Sequence, residues 1–172
     1  MTALDNLRGM LQSRYLRWEL LENGERVLQA MAILADVVRV RESGTNRGYW
    51  VESFLAKCGL GPGYPWCAAA LSFACDAVDV PRPAKGGASC AMWRAWARDQ
   101  KKLVTEPKRG RACVKDYGQG KGHIGIVVRT VGPLVWSLEG NTGPGEAGSQ
   151  RDGDGLYRRV RSRRFWDHYI EL

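Results

Sequence analysis

A cysteine stands at a predicted helix start near the middle of the chain. Cys67 follows the glycine-rich segment 59–63 and the pair Pro65 and Trp66, and it begins an apolar run rich in alanine. Proline suits the first turn of a helix, because the N–H that it lacks is not needed there. Unpaired backbone N–H groups and the positive end of the helix dipole would then favour a thiolate at Cys67. We therefore predict that Cys67 attacks an acyl carbon, although a lone helix cysteine is more commonly a buried packing residue.

One of the two histidines is placed to act as a general base. His123 opens the apolar run 124–128, which predicts a buried strand, and the glycines on either side of it leave room for other groups. His168 lies in an aromatic C-terminal segment without a neighbouring catalytic pattern, so we interpret it as a surface or packing residue. Taken alone, His123 fits a strand-edge histidine bound to a turn equally well.

Two polar residues end the next predicted strand. Glu139 and Asn141 are two positions apart, so both side chains can project from the same side of an extended segment. A carboxylate or an amide there can accept a hydrogen bond from the imidazole of His123 and select its tautomer. The order of Cys67, His123 and this polar pair matches nucleophile, base and orienting group in a papain-like thiol catalyst.

Three segments in this order resemble the CHAP family. These enzymes are cysteine- and histidine-dependent amidohydrolases and peptidases that cut peptidoglycan, and they are related to the NlpC/P60 enzymes. The matching segments are Pro65-Trp66-Cys67-Ala68-Ala69, Gly122-His123-Ile124-Gly125-Ile126-Val127 and Glu139-Gly140-Asn141-Thr142. The resemblance extends over roughly residues 42–165 and implies a papain-like α+β core, with the nucleophile helix packed on a small antiparallel sheet.

The resemblance also implies roles for individual residues. Cys67 would be the nucleophile, His123 the base, Glu139 the orienting group and Asn141 a further polar member of the site.

Two aromatic residues precede the predicted nucleophile. We expect Tyr64 and Trp66 to line the cleft beside the sulfur and to contact substrate, or else to pack the loop.

No metal or cofactor is expected. Certain relatives bind calcium through an acidic loop ahead of the nucleophile, but residues 42–66 contain only the acidic residues Glu42 and Glu52. The segment Asp152-Gly153-Asp154-Gly155 is predicted to be a turn, because the later glutamate of a calcium loop is missing.

The elements that must hold these residues are helices in the first part of the chain and strands in the second. Apolar residues at helical spacing predict a helical hairpin or one interrupted helix within residues 4–38, with a stop at Asn23 and Gly24. Further helices are predicted over 49–57, from Cys67 to about Asp79, and after a cap at Ser89. Four β-type runs follow, at 112–116, 124–129, 134–139 and 156–161. This order indicates an α+β fold with helices packed on one side of an antiparallel sheet.

We divide the chain into a helical N-terminal extension over residues 1–41 and a CHAP-like catalytic domain over residues 42–172. The apolar stripe of the extension must pack either on the main domain or on another copy of the chain or a partner.

The basic run from Arg158 to Arg164 alternates with apolar residues, so we interpret it as the solvated face of a strand. Nucleic-acid binding is the alternative that composition alone allows.

Bulk properties restrict the class of protein. The chain has 172 residues and a net charge of +8. Its five cysteines contain no C-x-x-C pair, and this odd count and irregular spacing argue against a disulfide scaffold. We expect no membrane span and no secretory signal. The resulting hypothesis is a protein made in the cytoplasm that acts on the cell wall after release or delivery, as a phage lysin or an injected effector. Its expected partner is peptidoglycan, and no nucleic acid is expected.

The leading hypothesis is a bacteriolytic peptidoglycan hydrolase, either an amidase or an endopeptidase. A non-catalytic basic module that binds cell wall or nucleic acid is the alternative from another class, and acyl transfer by the same residues is a third. The intact set of Cys67, His123 and Glu139 favours an enzyme, because a pure binding module has no use for it.

Overall fold

Helices come first and strands second, so the predicted α+β fold is confirmed. The computed structural model describes residues 1–15, 17–144 and 153–172. The helices are α1 (Ala3–Arg14), α2 (Asn23–Ala32), α3 (Tyr49–Lys57), α4 (Cys67–Ala77) and α5 (Cys90–Asp99). The strands are β1 (Leu103–Val104), β2 (Ala112–Gly118), β3 (Lys121–Val131), β4 (Leu134–Thr142), β5 (Gly155–Ser162) and β6 (His168–Ile170). Among these described helices, none is both long enough and apolar enough to cross a membrane.

Helix α1 begins with a capping box and buries one face. The Thr2 hydroxyl accepts a hydrogen bond from the Asp5 N–H at 3.2 Å, and Asp5 Oδ2 accepts one from the Thr2 N–H at 2.9 Å. Leu7 and Leu11, four residues apart, are fully buried on the same face. The local sequence therefore both starts this helix and directs it towards the core.

The N-terminal helices share one core with the predicted catalytic domain. Helices α1 and α2 both contact α4, and their buried residues belong to the same cluster as those of α4. The apolar stripe predicted to cover the main domain or another copy therefore packs within the chain. The predicted boundary at residue 41 does not separate two cores.

The predicted helix stop at Asn23 and Gly24 is wrong. Helix α1 ends at Arg14, a short 3₁₀ turn spans Trp18–Leu20, and Asn23 is the first residue of α2. A Cβ at Gly24 would lie 2.5 Å from the carbonyl oxygen of Gly110, so this glycine permits the close approach of two backbone segments.

The strands form a single antiparallel sheet in the order β1-β6-β2-β3-β4-β5. The four predicted strands are present, each slightly longer than expected, while the short strands β1 and β6 were not predicted. Part of the predicted turn at 152–155, including Asp152, lies outside the described residues.

The sheet buries residues on both faces. Alternate residues such as Ile124 and Ile126 belong to the main core with the helices, whereas Val127 belongs to a second cluster. That cluster contains Cys113, Val127, Val135, Trp166 and Tyr169. The predicted one-sided packing is therefore incomplete, because the C-terminal segment covers part of the other face.

Helix α4 occupies the centre of the fold. Its residues from Cys67 to Cys75 are all buried, which fits a helix without a polar face. The helix begins at Cys67 with Trp66 as its N-cap residue, so Pro65 precedes the cap instead of lying in the first turn. The end at Ala77 is two residues before the predicted one. The start of α4 thus places the Cys67 sulfur where the helix meets the sheet.

Candidate active site

The structure brings three of the predicted catalytic residues into one chain of contacts. His123 Nε2 lies 2.8 Å from Glu139 Oε2. The His123 side chain also interacts with Cys67, and this interaction lowers the pKa of the Cys67 thiol and raises the pKa of the imidazole. Because Glu139 occupies Nε2, the ring nitrogen left for Cys67 is Nδ1. Sulfur, imidazole and carboxylate are therefore connected in the order that thiol catalysis requires.

The register of β3 and β4 explains how Glu139 reaches the imidazole. Gly125 lies opposite Glu139 in the antiparallel pair, and His123 is two residues before Gly125 on the same side of the strand. A Cβ at Gly125 would lie only 2.8 Å from the Cγ of Glu139. The glycine thus leaves the space through which the glutamate side chain crosses β3 towards His123.

Several donors surround the Cys67 sulfur. The hydrogen bond with the Cys90 thiol, whose sulfur lies 3.8 Å away, contributes most to holding the pKa of Cys67 well below its usual value. Burial acts in the opposite direction, and the His123 side chain and the Ile124 backbone N–H add further hydrogen bonds that lower the pKa. These contacts therefore favour the thiolate form of Cys67.

Opposing effects also set the pKa values of His123 and Glu139. Burial lowers the pKa of His123, but hydrogen bonds and charge interactions with Cys67 and Glu139 raise it to about 9. Burial raises the pKa of Glu139, but bonds from His123 and Arg161 lower it to about 2. At neutral pH His123 is consequently an imidazolium and Glu139 is ionised behind the ring, and this arrangement favours the thiolate form of Cys67.

Sequence reasoning missed Arg161, which neutralises this glutamate. Arg161 Nη2 lies 2.6 Å from Glu139 Oε2, Arg161 Nε lies 2.9 Å from Glu139 Oε1, and the Ser137 hydroxyl donates to Oε1 at 2.6 Å. The Glu139 side chain is 0% exposed and that of Arg161 only 10%. The interpretation of the basic run as a solvated face is therefore wrong at Arg161. The sequence signal that could have pointed to a partner such as Arg161 was Glu139 itself, because a carboxylate buried at the end of a strand requires a cationic partner.

Aromatic rings support the imidazole and the guanidinium. The ring of Trp166 stacks on His123 with a centroid separation of 6.2 Å and an interplanar angle of 17°. The Arg161 guanidinium lies 4.4 Å from the centroid of the Phe165 ring. Both aromatic residues come from the segment that joins β5 to β6, so the end of the chain helps to fix the orientation of the base.

Trp66 does not have the position expected of a substrate-binding residue. It is fully buried, its Nε1 donates to Glu42 Oε1 at 2.7 Å, and its ring fills the space that a Cβ at Gly140 would need. This burial corrects the expectation that Trp66 lines the cleft and supports the loop-packing alternative. Tyr64 is 53% exposed, and its contact with substrate stays a prediction.

Glu42 has a structural role ahead of the nucleophile. Besides binding Trp66, its carboxylate accepts a hydrogen bond from the Asn46 backbone N–H at 2.8 Å.

Across the part of the chain that the structure describes, no group of three or more histidine, cysteine, aspartate or glutamate residues is arranged to hold a metal ion.

Asn141 lies at the end of β4 in an unusual backbone conformation. Its φ is +52°, its side chain is buried, and its Oδ1 has no hydrogen-bond partner within the described ranges. A buried amide oxygen without a partner is costly in free energy. The predicted role of Asn141 as a further polar member of the site stays a prediction.

Tyr117 is a second residue that the sequence did not single out. It lies near the end of β2, it is half exposed, and it is close enough to interact electrostatically with Arg161, Glu139 and Cys67. Mainly through burial, its pKa is raised to about 12, so its phenol stays a neutral hydrogen-bond donor.

Comparisons with known proteins do not assign the chain to a family. No protein-family model matches the chain, and no curated protein matches it either. Among solved structures, "The crystal structure of Ly7917" is similar over 60% of this chain and 52% of that protein, with 21% sequence identity and a TM-score of 0.40. The matched part thus spans about half the length of Ly7917.

Proposed function

We propose that this protein is a thiol hydrolase with a papain-like core of the CHAP type. Its substrate is an amide bond of peptidoglycan, in the stem or cross-bridge peptide, so that it acts as an N-acetylmuramoyl-L-alanine amidase or an endopeptidase. The observation that carries the proposal is the buried chain of contacts from Cys67 through His123 to Glu139, which begins at a helix N-terminus.

The reaction starts from the thiolate–imidazolium pair. The Cys67 sulfur attacks the carbonyl carbon of the amide, and the backbone N–H of Cys67 together with a second donor stabilises the oxyanion. His123 then gives its proton to the leaving amine, and an acyl group remains on the sulfur. His123 next removes a proton from water, which attacks the thioester and releases the acid and the free thiolate.

The ion pair between Glu139 and Arg161 serves this reaction by keeping the site close to neutral. Without Arg161, an ionised Glu139 would place a second negative charge near the Cys67 thiolate and so disfavour it. With Arg161 bound, the carboxylate still selects the His123 tautomer through Nε2, while its charge is balanced.

The choice of peptidoglycan rests on the resemblance of the three sequence segments to the CHAP family. The net charge of +8 supports it, because a basic protein is attracted to the anionic polymers of a cell wall.

The test is to incubate purified peptidoglycan with the wild-type protein and with Cys67→Ala, and to identify the released fragments by mass spectrometry. We expect new amino or peptide ends with the wild type and none with Cys67→Ala. Cys75→Ala is the matched control, because Cys75 is a buried thiol on the same helix and should leave the fragments unchanged. Equal fragment yield from Cys67→Ala would contradict the thiol mechanism. Intact peptidoglycan with the wild type would contradict the substrate.

A further inference from the structure

A second cysteine lies against the nucleophile. The sulfurs of Cys67 and Cys90 are 3.8 Å apart, both are free thiols, and Cys90 is only 7% exposed. Both residues are also the first of their helices, so two helix N-termini point towards one pair of sulfurs. The mechanism above assigns no role to Cys90.

The position of Cys90 is fixed by contacts between α5 and α4. The Ser89 hydroxyl caps α5 by accepting a hydrogen bond from the Met92 N–H. One turn further, Trp93 Nε1 donates to the Ser72 hydroxyl of α4 at 3.2 Å, and this hydroxyl donates to the Gly87 carbonyl at 2.6 Å. This buried network joins the first turn of α5 to the nucleophile helix.

A glycine on β3 leaves the space that the Cys90 side chain occupies. A Cβ at Gly122 would lie 3.0 Å from the Cβ of Cys90 and 3.8 Å from its sulfur. The side chain of Cys90 therefore packs against β3 at Gly122, the residue that precedes the base in the chain. Any larger residue at position 122 would push Cys90 away.

The two sulfurs do not have equivalent surroundings. Cys67 interacts with the His123 side chain and with the Ile124 backbone N–H, which both stabilise negative charge on its sulfur. The pKa of Cys90 is raised well above its usual value, first by its hydrogen bond with Cys67 and then by burial. These surroundings favour the negative charge on Cys67 and the proton on Cys90.

We propose that Cys90 is a positioning residue whose S–H donates a hydrogen bond to the Cys67 sulfur and holds it in its reactive anionic form. The inference rests on the proposed thiol mechanism and adds a third donor to the imidazolium and the backbone N–H. The titratable groups that interact with these sulfurs are His123 on β3 and Tyr117 on β2. Glu139 on β4 interacts with both of these groups, and Arg161 on β5 interacts with Tyr117 and Glu139.

The experiment measures the pH dependence of Cys67 alkylation by iodoacetamide, followed by peptide mass spectrometry, in the full chain. Cys90→Ala removes the donor, whereas Cys90→Ser replaces it with a hydroxyl of similar size. We expect Cys90→Ala to move the midpoint of the alkylation profile upward by about one pH unit, which is about tenfold less thiolate on the rising limb. Cys90→Ser should retain a midpoint within about half a unit of the wild type, because a hydroxyl also donates.

Two further variants control for packing. Cys75→Ala removes a buried thiol from α4 away from the sulfur pair and should leave the midpoint unchanged. Cys90→Val fills the space without a donor, and it replaces Cys90→Ala if that variant does not fold. Circular dichroism and thermal unfolding of each variant establish that the alkylation profiles compare folded proteins.

The outcomes separate this inference from the proposed function. A low wild-type midpoint that neither Cys90→Ala nor Cys90→Val moves would overturn the role of Cys90 and leave the thiol mechanism intact. Equal shifts in Cys90→Ser and Cys90→Ala would also overturn it, because the effect would then come from packing. A wild-type midpoint near the ordinary cysteine value would instead contradict the activated thiolate on which the proposed function depends.

Discussion

Replacing Arg161 by methionine should destabilise the protein far more than its place in a basic run indicates. The guanidinium makes two short contacts with the Glu139 carboxylate, whose side chain is completely buried. Methionine retains an unbranched stem that can pack on Phe165, but it carries no charge. Among the residues that the structure describes, the variant therefore leaves His123 and Ser137 as the hydrogen-bond donors to a buried carboxylate.

The size of the effect follows from the burial of this pair. Removing one partner of a buried ion pair costs about 3–5 kcal/mol, because the remaining charge loses its compensation. For a chain of this length, each 1 kcal/mol corresponds to roughly 2–4 °C in Tm, so we expect a decrease of about 6–20 °C.

A matched control comes from the same basic run. Arg163 pairs with Glu106, but these side chains are 45% and 65% exposed, so the pair contributes at most about 1 kcal/mol. The free energy of unfolding of the wild type, Arg161→Met and Arg163→Met is measured by urea denaturation, and Tm by calorimetry. Arg163→Met should lie within about 1 kcal/mol of the wild type.

A double variant isolates the charge interaction. Glu139→Gln removes the buried charge, so adding it to Arg161→Met should restore part of the lost stability, and the two effects should not be additive. If Arg161→Met and Arg163→Met have the same free energy of unfolding within about 1 kcal/mol, the argument for a buried ion pair is refuted.

Two further predictions concern the pH range of the reaction and the unity of the core. The active form needs a protonated His123, and the pKa of this imidazole is raised to about 9. We therefore expect kcat/KM for peptidoglycan hydrolysis to fall as the pH rises through about 9. A profile that falls near pH 6.5 would contradict this charge state. Leu7→Ala should cost about 2–5 kcal/mol of unfolding free energy, because α1 packs in the common core, whereas Leu20→Ala, at a site that is 66% exposed, should cost less than about 1 kcal/mol. Urea denaturation measures the free energy of unfolding of both leucine variants. Equal losses in Leu7→Ala and Leu20→Ala would show that α1 contributes little to the core.

The helices and strands were predictable because their signals are local. Apolar spacing together with Pro, Gly and Ser signals predicted helix in the regions of α1 to α5, although the break between α1 and α2 was misplaced. Short β-type runs between turn residues predicted β2 to β5. The strands β1 and β6 were missed because two or three residues carry no periodic signal, and they pair with each other and with β2 only in the folded chain. The stop predicted at Gly24 failed because that glycine serves a contact with Gly110, which no local pattern reveals.

The sequence by itself determined the central members of the candidate site. Cys67 at a helix start, and His123 and Glu139 on neighbouring strands of a hairpin, follow from local structure. Hairpin register then brings the last two together, since β3 and β4 are joined by a tight turn.

Only the tertiary structure decided what surrounds them. Cys90 reaches Cys67 because α5 packs on β2 and β3 and Trp93 of α5 is hydrogen-bonded to Ser72 of α4. Arg161 reaches Glu139 of β4 from the neighbouring strand β5. Trp66 is buried because Glu42 and Gly140, which are distant in sequence, form its pocket. Such contacts depend on how whole elements pack, and a residue's own neighbours in sequence do not encode them. The charge balance of the site, in which Cys90 and His123 favour the Cys67 thiolate and Arg161 neutralises Glu139, is accordingly a property of the fold.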